Sequence, residues 1–468
     1  MTCCDRHLHL GLTESVCPVC LATIPAERCA EGETVYLKKT CPEHGTTSTP
    51  VWRGLDSYLR WGQAARNFSQ PPVCATEVKR GCPRDCGLCP DHLQQSCCVL
   101  LEVTSRCDLA CPVCYASASR HGADASLAEI GGWLDTLAAS GGRVHLQLSG
   151  GEPTVRDDLP EIVELIRSRG FDFVQLNSNG VRIAREPNYL AALAKAGLDC
   201  VFLQFDGVSD DVYQRLRGAK LLRLKTLAIR NCGEAGIGVV LTPTLVPGVN
   251  VDQIGAIVDF AIAETPAVRA VHFQPVSYFG RCPTSPDDAS RITLPEVMEA
   301  LIGYSGGTIR FGDFHPGAAE NPYCSFSGRF VIGEGGRLRA TGEKPQSCRG
   351  VPAKQESAEC RGSARPSLEV ARERRYVAGQ WTRPDRPIQD PAGLDAFDAF
   401  LASRTGTLGL SGMAFQDAWT LDIERLRQCH VHVVAPDRRV IPFCAYNLTD
   451  CAGGALYRPQ ASTGSEET

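Results

Sequence analysis

The feature that most constrains this chain is the loop Cys107–Cys114, in which three cysteines follow the spacing Cys-x3-Cys-x2-Cys. Three thiolates so close together can bind three irons of a 4Fe-4S cube and leave the fourth iron open for chemistry. The apolar run Val99–Val103 before the loop predicts a buried strand, and a helix is expected from near Ala116. The cysteines would then lie at the C-terminal end of a strand, where barrel enzymes keep their active sites. A cluster or metal that serves only as a structural staple is the alternative.

A second motif, Leu148-Ser-Gly-Gly-Glu-Pro-Thr154, closes another predicted strand about one βα unit later. Taken together, the two motifs resemble the radical S-adenosylmethionine (SAM) superfamily, in which a cluster loop of this spacing precedes a strand that ends in Gly-Gly-Glu-Pro. The order and the separation of the motifs both match, whereas a lone Gly-Gly-Glu would mean little.

The resemblance implies that the open iron binds the amino and carboxylate groups of SAM. It assigns the cluster to Cys107, Cys111 and Cys114. It also implies that the backbone of Gly150, Gly151 and Glu152, together with the Glu152 carboxylate, holds the amino group of SAM.

The composition of the chain limits which classes of protein it can belong to. A chain of 468 residues with 43% hydrophobic content can form one large barrel with small appended domains. A net charge of -5 gives no sign of nucleic-acid binding, and no run of 18 apolar residues predicts a membrane span. The start Met1–His7 lacks the apolar core of a secretion signal, so we expect a cytoplasmic protein. In a reducing cytosol, 24 cysteines favour metal binding over disulfides.

The N-terminal region has two knuckles, Cys17-x2-Cys20 and Cys41-x2-His44, on either side of a predicted strand, Thr34–Leu37. Their spacing is that of a tetrahedral ribbon site with three sulfurs and one nitrogen. We therefore expect one zinc or one rubredoxin-like iron, the alternative being unliganded thiols. A short helix is predicted over Trp52–Ala65.

A second Cys-x3-Cys-x2-Cys loop lies just upstream of the first, with no strand before it. We therefore expect it to hold an auxiliary cluster near the active site, a structural staple being the alternative. Its cysteines are Cys82, Cys86 and Cys89. Neighbours that could supply a fourth ligand are Cys74, Cys97 and Cys98.

From Val99 to about Gln274 the pattern alternates strand and helix, as a parallel barrel requires. The predicted strands are Val99–Val103, Val144–Leu148, Phe173–Leu176, Cys200–Phe205, Gly238–Thr242 and Val271–Gln274. The predicted helices between them include Ser126–Ala138, Leu159–Arg167, Tyr189–Lys195, Leu221–Ala235 and Val251–Ile262. Six units match the open, partial (β/α)6 barrel of the α/β class that the resemblance implies.

Polar residues follow the third and fourth predicted strands. Asn177, Asn179 and Asp206 correspond in position to the ribose and carboxylate contacts that the resembled family makes with SAM. Because Asn-Gly and Asp-Gly also form turns, a purely local role is the alternative.

Beyond the barrel, Glu343–Pro391 is rich in Pro, Arg and Glu without a sustained period, and we expect a loop or linker there. It contains Cys348 and Cys360. A final unit contains a predicted helix, Thr420–Arg427, and a hairpin with Cys429 and Cys444 at its base. This hairpin suits a second auxiliary cluster. Further possible ligands are Cys324 and Cys451, and the polar tail Ala461–Thr468 is expected to be disordered.

These expectations divide the chain into five parts. They are a rubredoxin-like or zinc-ribbon domain at 1–65, an auxiliary cluster segment at 66–98, the barrel at 99–285, a connecting region at 286–393 and a C-terminal auxiliary-cluster domain at 394–468.

The whole chain resembles the class D radical SAM methyltransferase and tetraether synthase family. The motifs that carry this resemblance are the ribbon Cys17–Gly45, the loop Gly81–Pro90, the cluster loop Cys107–Cys114 and the segment Ile441–Asn447. The match extends over nearly the whole chain.

The resemblance implies that SAM is cleaved to a 5'-deoxyadenosyl radical and that a C-C bond forms at an unactivated carbon, either by C-methylation of a small molecule such as a pterin or by joining of lipid chains. It implies one SAM-binding and two auxiliary 4Fe-4S clusters, one mononuclear iron or zinc, and an electron donor such as ferredoxin or flavodoxin. Two alternatives stay open. One is a peptide-modifying radical SAM enzyme, and the other is a non-catalytic metal-binding protein, against which Gly150–Glu152 argue.

Overall fold

The computed structural model describes residues 7–64, 68–282, 285–341, 368–382 and 406–459. The expectations that concern Cys348, Cys360, residues 343–367 and 383–391 of the predicted linker and the tail Ala461–Thr468 lie outside these residues. Two sheets organise the described parts, one of four strands at the N-terminus and one large mixed sheet.

The N-terminal sheet is an antiparallel meander in strand order β1-β2-β3-β4. Its strands are β1 (His7–Val16), β2 (Thr23–Glu31), β3 (Thr34–Cys41) and β4 (Gly45–Arg53), followed by helix α1 (Leu55–Trp61). The helix predicted over Trp52–Ala65 is therefore shorter, and Trp52 belongs to β4. The Trp52 indole is buried and donates a hydrogen bond to Ser57 Oγ at 2.9 Å, so packing against α1 holds this residue in the strand.

The large sheet has six parallel strands at its centre, each followed by helical structure, and this confirms the predicted barrel fold. The elements are β5 (Cys98–Thr104), α2 (Leu127–Gly141), β6 (His145–Gly150), α3 (Leu159–Ser168), β7 (Val174–Ser178), α4 (Val181–Arg185), α5 (Pro187–Ala196), β8 (Cys200–Gln204), α6 (Asp210–Arg217), α7 (Leu222–Glu234), β9 (Gly238–Thr242), β10 (Thr244–Leu245), α8 (Ile254–Ala263) and β11 (Val268–Pro275). The bounds of each predicted barrel strand differ from the observed ones by at most three residues.

The core lies between these strands and the helices outside them. Alternate strand residues such as Leu146, Leu148, Val201 and Leu203 are fully buried against the helix layer. Their neighbours in sequence point to the inside of the curved sheet, because successive side chains of a strand face opposite sides. This alternation gives the barrel an interior that can be polar.

The remaining elements extend the barrel sheet at both edges. They are α9 (Leu294–Tyr304), β12 (Ser325–Ile332), β13 (Leu338–Ala340), α10 (Leu368–Trp381), β14 (Thr407–Met413), α11 (Ile423–Arg427), β15 (Val431–Val434), β16 (Val440–Pro442) and α12 (Phe443–Tyr446). Strand β14 pairs in parallel with β11, while β12 pairs antiparallel with β14. On the opposite edge, β15 pairs in parallel with β5 and forms the predicted hairpin with β16.

The stretch Glu343–Pro391, expected to be a loop, contains helix α10. The expectation failed because the helix is not amphipathic by sequence alone. Val377, Ala378 and Trp381 instead pack against the buried strand residues that include Phe202. In the same way, β12 is stabilised by edge-to-face contacts among aromatic rings, such as Phe314 with Phe326 at 5.2 Å, that only the folded chain assembles.

Buried ion pairs join the N-terminal sheet to the C-terminal segment. Arg28 of β2 donates to the carboxylate of Asp422 at 2.6 and 3.0 Å and to Glu424 at 2.5 Å. The side chains of Arg28 and Asp422 are only 15% and 6% exposed. In addition, the indole of Trp61 donates to the carbonyl of Pro322 at 2.7 Å. The ribbon is thus fixed to the barrel by contacts distant in sequence.

We predict that Arg28→Met lowers the free energy of unfolding by about 3–5 kcal/mol, because it leaves the Asp422 carboxylate buried without its cation. The double variant R28M/D422N should recover part of that loss. Urea denaturation under anaerobic conditions measures both, with Arg223→Met on an exposed position of α7 as the control. Equal losses in the single and double variants would contradict the prediction.

Candidate active site

The cluster loop begins three residues after β5 ends and lies at the carboxyl ends of the parallel strands. Its three cysteines line one end of a cavity of about 350 Å³ inside the barrel. The helix expected near Ala116 does not form, and α2 begins only at Leu127. The chain instead folds back on the strand end, where Cys107 N–H donates to Ser119 O at 2.8 Å.

Two arginines hold the loop in place, a role that the sequence did not assign to either of them. Arg281 exchanges a pair of backbone hydrogen bonds with Cys114, both 3.0 Å, and its Nε donates to Cys111 O at 2.9 Å. Arg217, the last residue of α6, donates to Val113 O at 3.4 Å. Arg281 follows the sixth predicted strand, which is the one signal that could have indicated it, whereas nothing in the sequence singled out Arg217.

The cluster thiols favour a positively charged partner. Burial raises the pKa of Cys107 to about 12 and raises that of Cys111 as well. A buried thiolate needs compensating charge, and iron ions in a cluster would supply it. Cysteines on one loop around one cavity end therefore fit a cluster ligand set.

The glycines at the end of β6 permit a close approach of two backbones. Gly151 N–H donates to Thr104 O at 2.9 Å, and Glu152 N–H donates to Arg106 O at 2.8 Å. Gly150 has a φ of 124°, and a Cβ at either glycine would overlap a carbonyl oxygen of the β5 end. These glycines therefore seat the cluster loop directly against the end of β6.

The Glu152 carboxylate is 2% exposed, and its oxygens accept several internal hydrogen bonds. One oxygen accepts from Thr154 Oγ1 at 2.6 Å and Ser178 Oγ at 2.8 Å, and the other accepts from Asn179 N–H at 2.6 Å. The carboxylate thus fastens the end of β6 to the end of β7. Its expected contact with the SAM amino group stays a prediction, to which the structure adds this bracing role.

Asn177 and Asn179 both line the cavity. Asn179 Nδ2 donates to Asp108 Oδ1 of the cluster loop at 2.7 Å, so this side chain connects the loop to β7. Asn177 Nδ2 reaches Gln147 Oε1 on β6 at 3.5 Å. Their expected contacts with SAM remain predictions.

Asp206 departs from expectation, since it does not line the cavity and its side chain is fully buried. Both of its oxygens accept from the Arg217 guanidinium at 2.7 Å. Arg217 and Gln204 form the cavity wall at this point, so Asp206 does not reach a ligand in the cavity directly. Asp206 fixes Arg217, because the two form a bidentate pair that water cannot reach.

Lys225 of α7 is a further buried cation that the sequence did not reveal. Its Nζ donates to Asn179 O at 2.5 Å and to Gln204 Oε1 at 3.3 Å. Burial lowers its pKa to about 8. Lys225 therefore connects the ends of β7 and β8 beneath the cavity.

The ribbon knuckles come together as the spacing predicted. The ligand atoms of Cys17, Cys20, Cys41 and His44 all lie within 4.8 Å of one another. A hydrogen bond with His44, whose Nδ1 is 3.4 Å from the sulfur, lowers the pKa of the Cys41 thiol. Three sulfurs and one nitrogen at these distances fit one tetrahedral ion.

The upstream loop packs beside the barrel edge formed by β15. The Asp85 carboxylate accepts backbone hydrogen bonds from Lys79 at 2.6 Å and Gly81 at 2.8 Å and so fixes the loop. Cys86 N–H donates to the hydroxyl of Tyr457 at 3.0 Å. A neighbouring Cys82 and burial raise the pKa of the Cys86 thiol well above its usual range.

The third group of thiols comes from the C-terminal hairpin and from the turn before β12. Cys324, Cys429 and Cys444 are close enough for their charges to act on one another, and burial raises the pKa of each. The Arg425 guanidinium donates to Cys324 Sγ at 3.5 Å. Cys451 lies elsewhere, exposed, with its N–H donating to Pro18 O of the ribbon.

Comparisons with known proteins agree with this geometry. A model of the radical SAM superfamily matches residues 101–261, and a model of the HMPTM N-terminal zinc ribbon domain matches residues 9–53. The 7,8-dihydro-6-hydroxymethylpterin dimethyltransferase of Methanocaldococcus jannaschii is 33% identical over 488 residues, which cover 93% of each chain. The Fe-coproporphyrin III synthase of Methanosarcina barkeri is 35% identical over 207 residues, 42% of this chain and 50% of that protein.

Among solved structures, that of Streptococcus suis SuiB bound to precursor peptide SuiA covers 46% of this chain and 48% of its own, with 18% identity and a TM-score of 0.39. The barrel, the cluster loop and the superfamily match define a radical SAM enzyme. This class uses a 4Fe-4S cluster and SAM. The chain belongs to the class D radical SAM methyltransferase and tetraether synthase family, together with the pterin dimethyltransferase of M. jannaschii.

We predict that Gly151→Ala strongly reduces the cluster content and abolishes SAM cleavage, because the new Cβ would displace the Arg106 carbonyl and the loop behind it. Iron and sulfide assays and the yield of 5'-deoxyadenosine measure the two effects. Gly303→Ala on α9 is the matched control, since its Cβ would enter open space. Full activity in Gly151→Ala would show that the close approach is not needed.

A second prediction compares the two loops of identical spacing. Replacing Cys107, Cys111 and Cys114 by Ala should abolish reductive cleavage of SAM, because only this loop faces the cavity. The same triple change at Cys82, Cys86 and Cys89 should leave measurable cleavage in the protein that still folds. Anaerobic single-turnover assays with dithionite decide between them, and the reverse result would mean that the SAM cluster lies on the upstream loop.

Proposed function

We propose that this protein is a radical SAM C-methyltransferase that forms a C-C bond at an unactivated carbon of a small pterin-like heterocycle. The observation that carries the proposal is the cavity itself, which has the three loop cysteines at one end and, among apolar and aromatic side chains, a set of uncharged side-chain amides. A pterin carries several hydrogen-bonding groups on a flat ring and matches this combination of amides and rings. Lipid chains would leave the amides without hydrogen-bond partners.

The M. jannaschii relative, 93% of which aligns with this chain, is named for dimethylation of 7,8-dihydro-6-hydroxymethylpterin. That name supports a pterin as the first substrate to test. The proposal extends to one substrate class and does not require that the product carry two methyl groups.

In this proposal Cys107, Cys111 and Cys114 hold the SAM-binding cluster. The cluster and SAM supply, when bound, a 5'-deoxyadenosyl radical that can abstract hydrogen from carbon. Gly150, Gly151, Glu152, Asn177 and Asn179 position SAM, while Asp206 acts through Arg217. The chain's own contribution is to orient the reacting carbon and to exclude water, since the cofactor carries the difficult step.

We further propose two auxiliary 4Fe-4S clusters, one held by Cys82, Cys86 and Cys89 and one by Cys324, Cys429 and Cys444, and one zinc or iron in the ribbon. Thiol burial at both cysteine groups supports this assignment, because metal ions would compensate buried thiolates. An electron donor such as ferredoxin or flavodoxin would reduce the clusters in the cytoplasm. We also propose the five parts of the chain given above, with boundaries at 65/66, 98/99, 285/286 and 393/394. These parts are segments of the sequence, because strands β12 and β14–β16 from the last two parts join the barrel sheet.

Within the part of the chain that the structure describes, helices are too short or too polar to cross a bilayer.

The reaction type has a direct isotopic test. Deuterium placed on the reacting carbon of 7,8-dihydro-6-hydroxymethylpterin should appear in 5'-deoxyadenosine, because hydrogen abstraction precedes bond formation. Mass spectrometry should also show added carbon in the pterin. Accumulation of S-adenosylhomocysteine without deuterium transfer would indicate polar methyl transfer, and deuterium transfer without added carbon would indicate a radical enzyme of another kind.

A further inference from the structure

The part of the cavity away from the cluster loop has a distinctive chemical lining. Four glutamines from four different strands face it, one each from β6, β7, β8 and β11. They are Gln147, Gln175, Gln204 and Gln274. Strands β6 and β11 are separated by β7, β8 and β9 in the sheet, so Gln147 and Gln274 approach the cavity from different sides of the curved barrel wall.

All four amides have unused hydrogen-bonding capacity. Gln175 Nε2 donates to Asn177 Oδ1 at 3.1 Å, Gln204 Oε1 accepts from Lys225, and Gln147 Oε1 accepts from Asn177. Among the described residues, the other amide group of each of these three glutamines has no hydrogen-bond partner, and the whole side-chain amide of Gln274 has none. Polar groups inside a cavity gain free energy when a ligand satisfies them, and they reject ligands that leave them unpaired.

The floor of this part of the cavity is aromatic. Helix α10 crosses beneath the strands, and the Trp381 ring packs edge-to-face on Phe202 with centroids 4.7 Å apart. His272 lies 6.4 Å from the same indole, and its Nδ1 is 2.9 Å from Ser411 Oγ. Flat rings of this kind offer a stacking surface to a planar ligand.

The two imidazoles in the same region are uncharged near pH 7. Burial lowers the pKa of His272 to about 4, and burial with the nearby Arg374 lowers that of His145 to about 3, so both imidazoles are uncharged. The Arg217 guanidinium on the cavity wall is paired with Asp206. A wall of this kind favours an uncharged ligand over an anion or a cation.

A carboxylate and an imidazole lie close together on the same wall. His430 Nδ1 is 3.2 Å from Glu320 Oε2, and both side chains are less than 10% exposed. Glu152, the remaining acid on the wall, already accepts the hydrogen bonds described above. Among the described lining residues, the carboxylates are therefore those of Glu152 and Glu320, and the four glutamines themselves carry no charge.

We propose that this glutamine-lined part of the cavity is the substrate subsite, and that it recognises an uncharged planar heterocycle by its lactam edge, the ring N–H beside a carbonyl. A glutamine amide has one donor and one acceptor side by side, and it matches a lactam with two parallel hydrogen bonds. Gln274 and Gln147 supply these contacts, and Trp381 limits the depth of the subsite. The inference rests on the proposed function and deepens it by assigning the specificity-determining residues.

The test measures binding to the cluster-loaded full chain. Anaerobic equilibrium dialysis gives the dissociation constant of 6-hydroxymethylpterin, which has the lactam edge, and of its N3-methyl derivative, in which a methyl group replaces the ring N–H of that edge. The wild-type protein should bind the pterin at least about tenfold more tightly. Gln147→Met and Gln274→Met remove the amides at nearly constant length, and each should weaken pterin binding about tenfold and reduce the preference between the two rings.

Gln214→Met, on the exposed face of α6, is the matched control and should bind the pterin as the wild type does. Iron content and circular dichroism establish that each variant is folded and loaded. Should a variant lose its iron, the comparison of the two rings on the wild-type protein still decides, because equal affinity for both would overturn the inference. Unchanged pterin binding in both folded variants would overturn it as well.

Failure of the proposed function has a different signature. If the wild type binds the pterin through the glutamines, as the variants report, but neither transfers its deuterium nor adds carbon, the subsite stands and the proposed reaction is wrong. If the wild type methylates the pterin while both variants bind it normally, the reaction stands and the subsite lies elsewhere. If wild type binds neither the pterin nor other lactam heterocycles such as lumazine, the inference is overturned.

Discussion

The contact on which the site depends is the close approach of two backbones at the ends of β5 and β6. Gly151 and Glu152 donate their N–H groups to carbonyls of Thr104 and Arg106, so the chain that enters the cluster loop is hydrogen-bonded to the neighbouring strand before it turns. Side chains at the two glycine positions would prevent this approach. The Gly-Gly pair is therefore a requirement of geometry at the cluster loop, whatever contacts it also makes with a ligand.

Charges buried around this contact fix its neighbours. Glu152 ties β6 to β7, Asn179 ties β7 to the loop, and the pair of Asp206 and Arg217 ties β8 to the loop backbone. Breaking one partner of such a buried group leaves the other uncompensated, which is costly. The polar residues at the strand ends thus form a connected frame whose inner face is the cavity wall, and this frame gives the barrel both its rigidity and its polar interior.

Much of the fold was predictable because its signals are local. Alternating strand and helix periods identified the six parallel strands from Val99 to Gln274, and the Cys-x2-Cys and Cys-x2-His knuckles predicted the four-ligand ribbon site. The errors occurred where packing overrides local preference. Trp52 joins β4 because its indole is buried, and α10 forms in a stretch that reads as a linker because Trp381 packs under Phe202. Strand β14 has little amphipathic pattern because residues on both of its faces are buried, while β11 and β12 pair with its two edges.

The sequence by itself determined the chemistry that the chain can perform, because cysteine spacing and the Gly-Gly-Glu strand end are short-range constraints that a few adjacent residues express completely. Only the tertiary structure decided which polar residues face the cavity. Asp206 looks like a ligand contact in sequence yet is buried beneath Arg217, whereas Gln147 and Gln274 look unremarkable and face the interior together. The physical reason is that a strand turns alternate side chains to opposite faces, and only the curvature of the whole sheet brings residues more than one hundred positions apart around the same space.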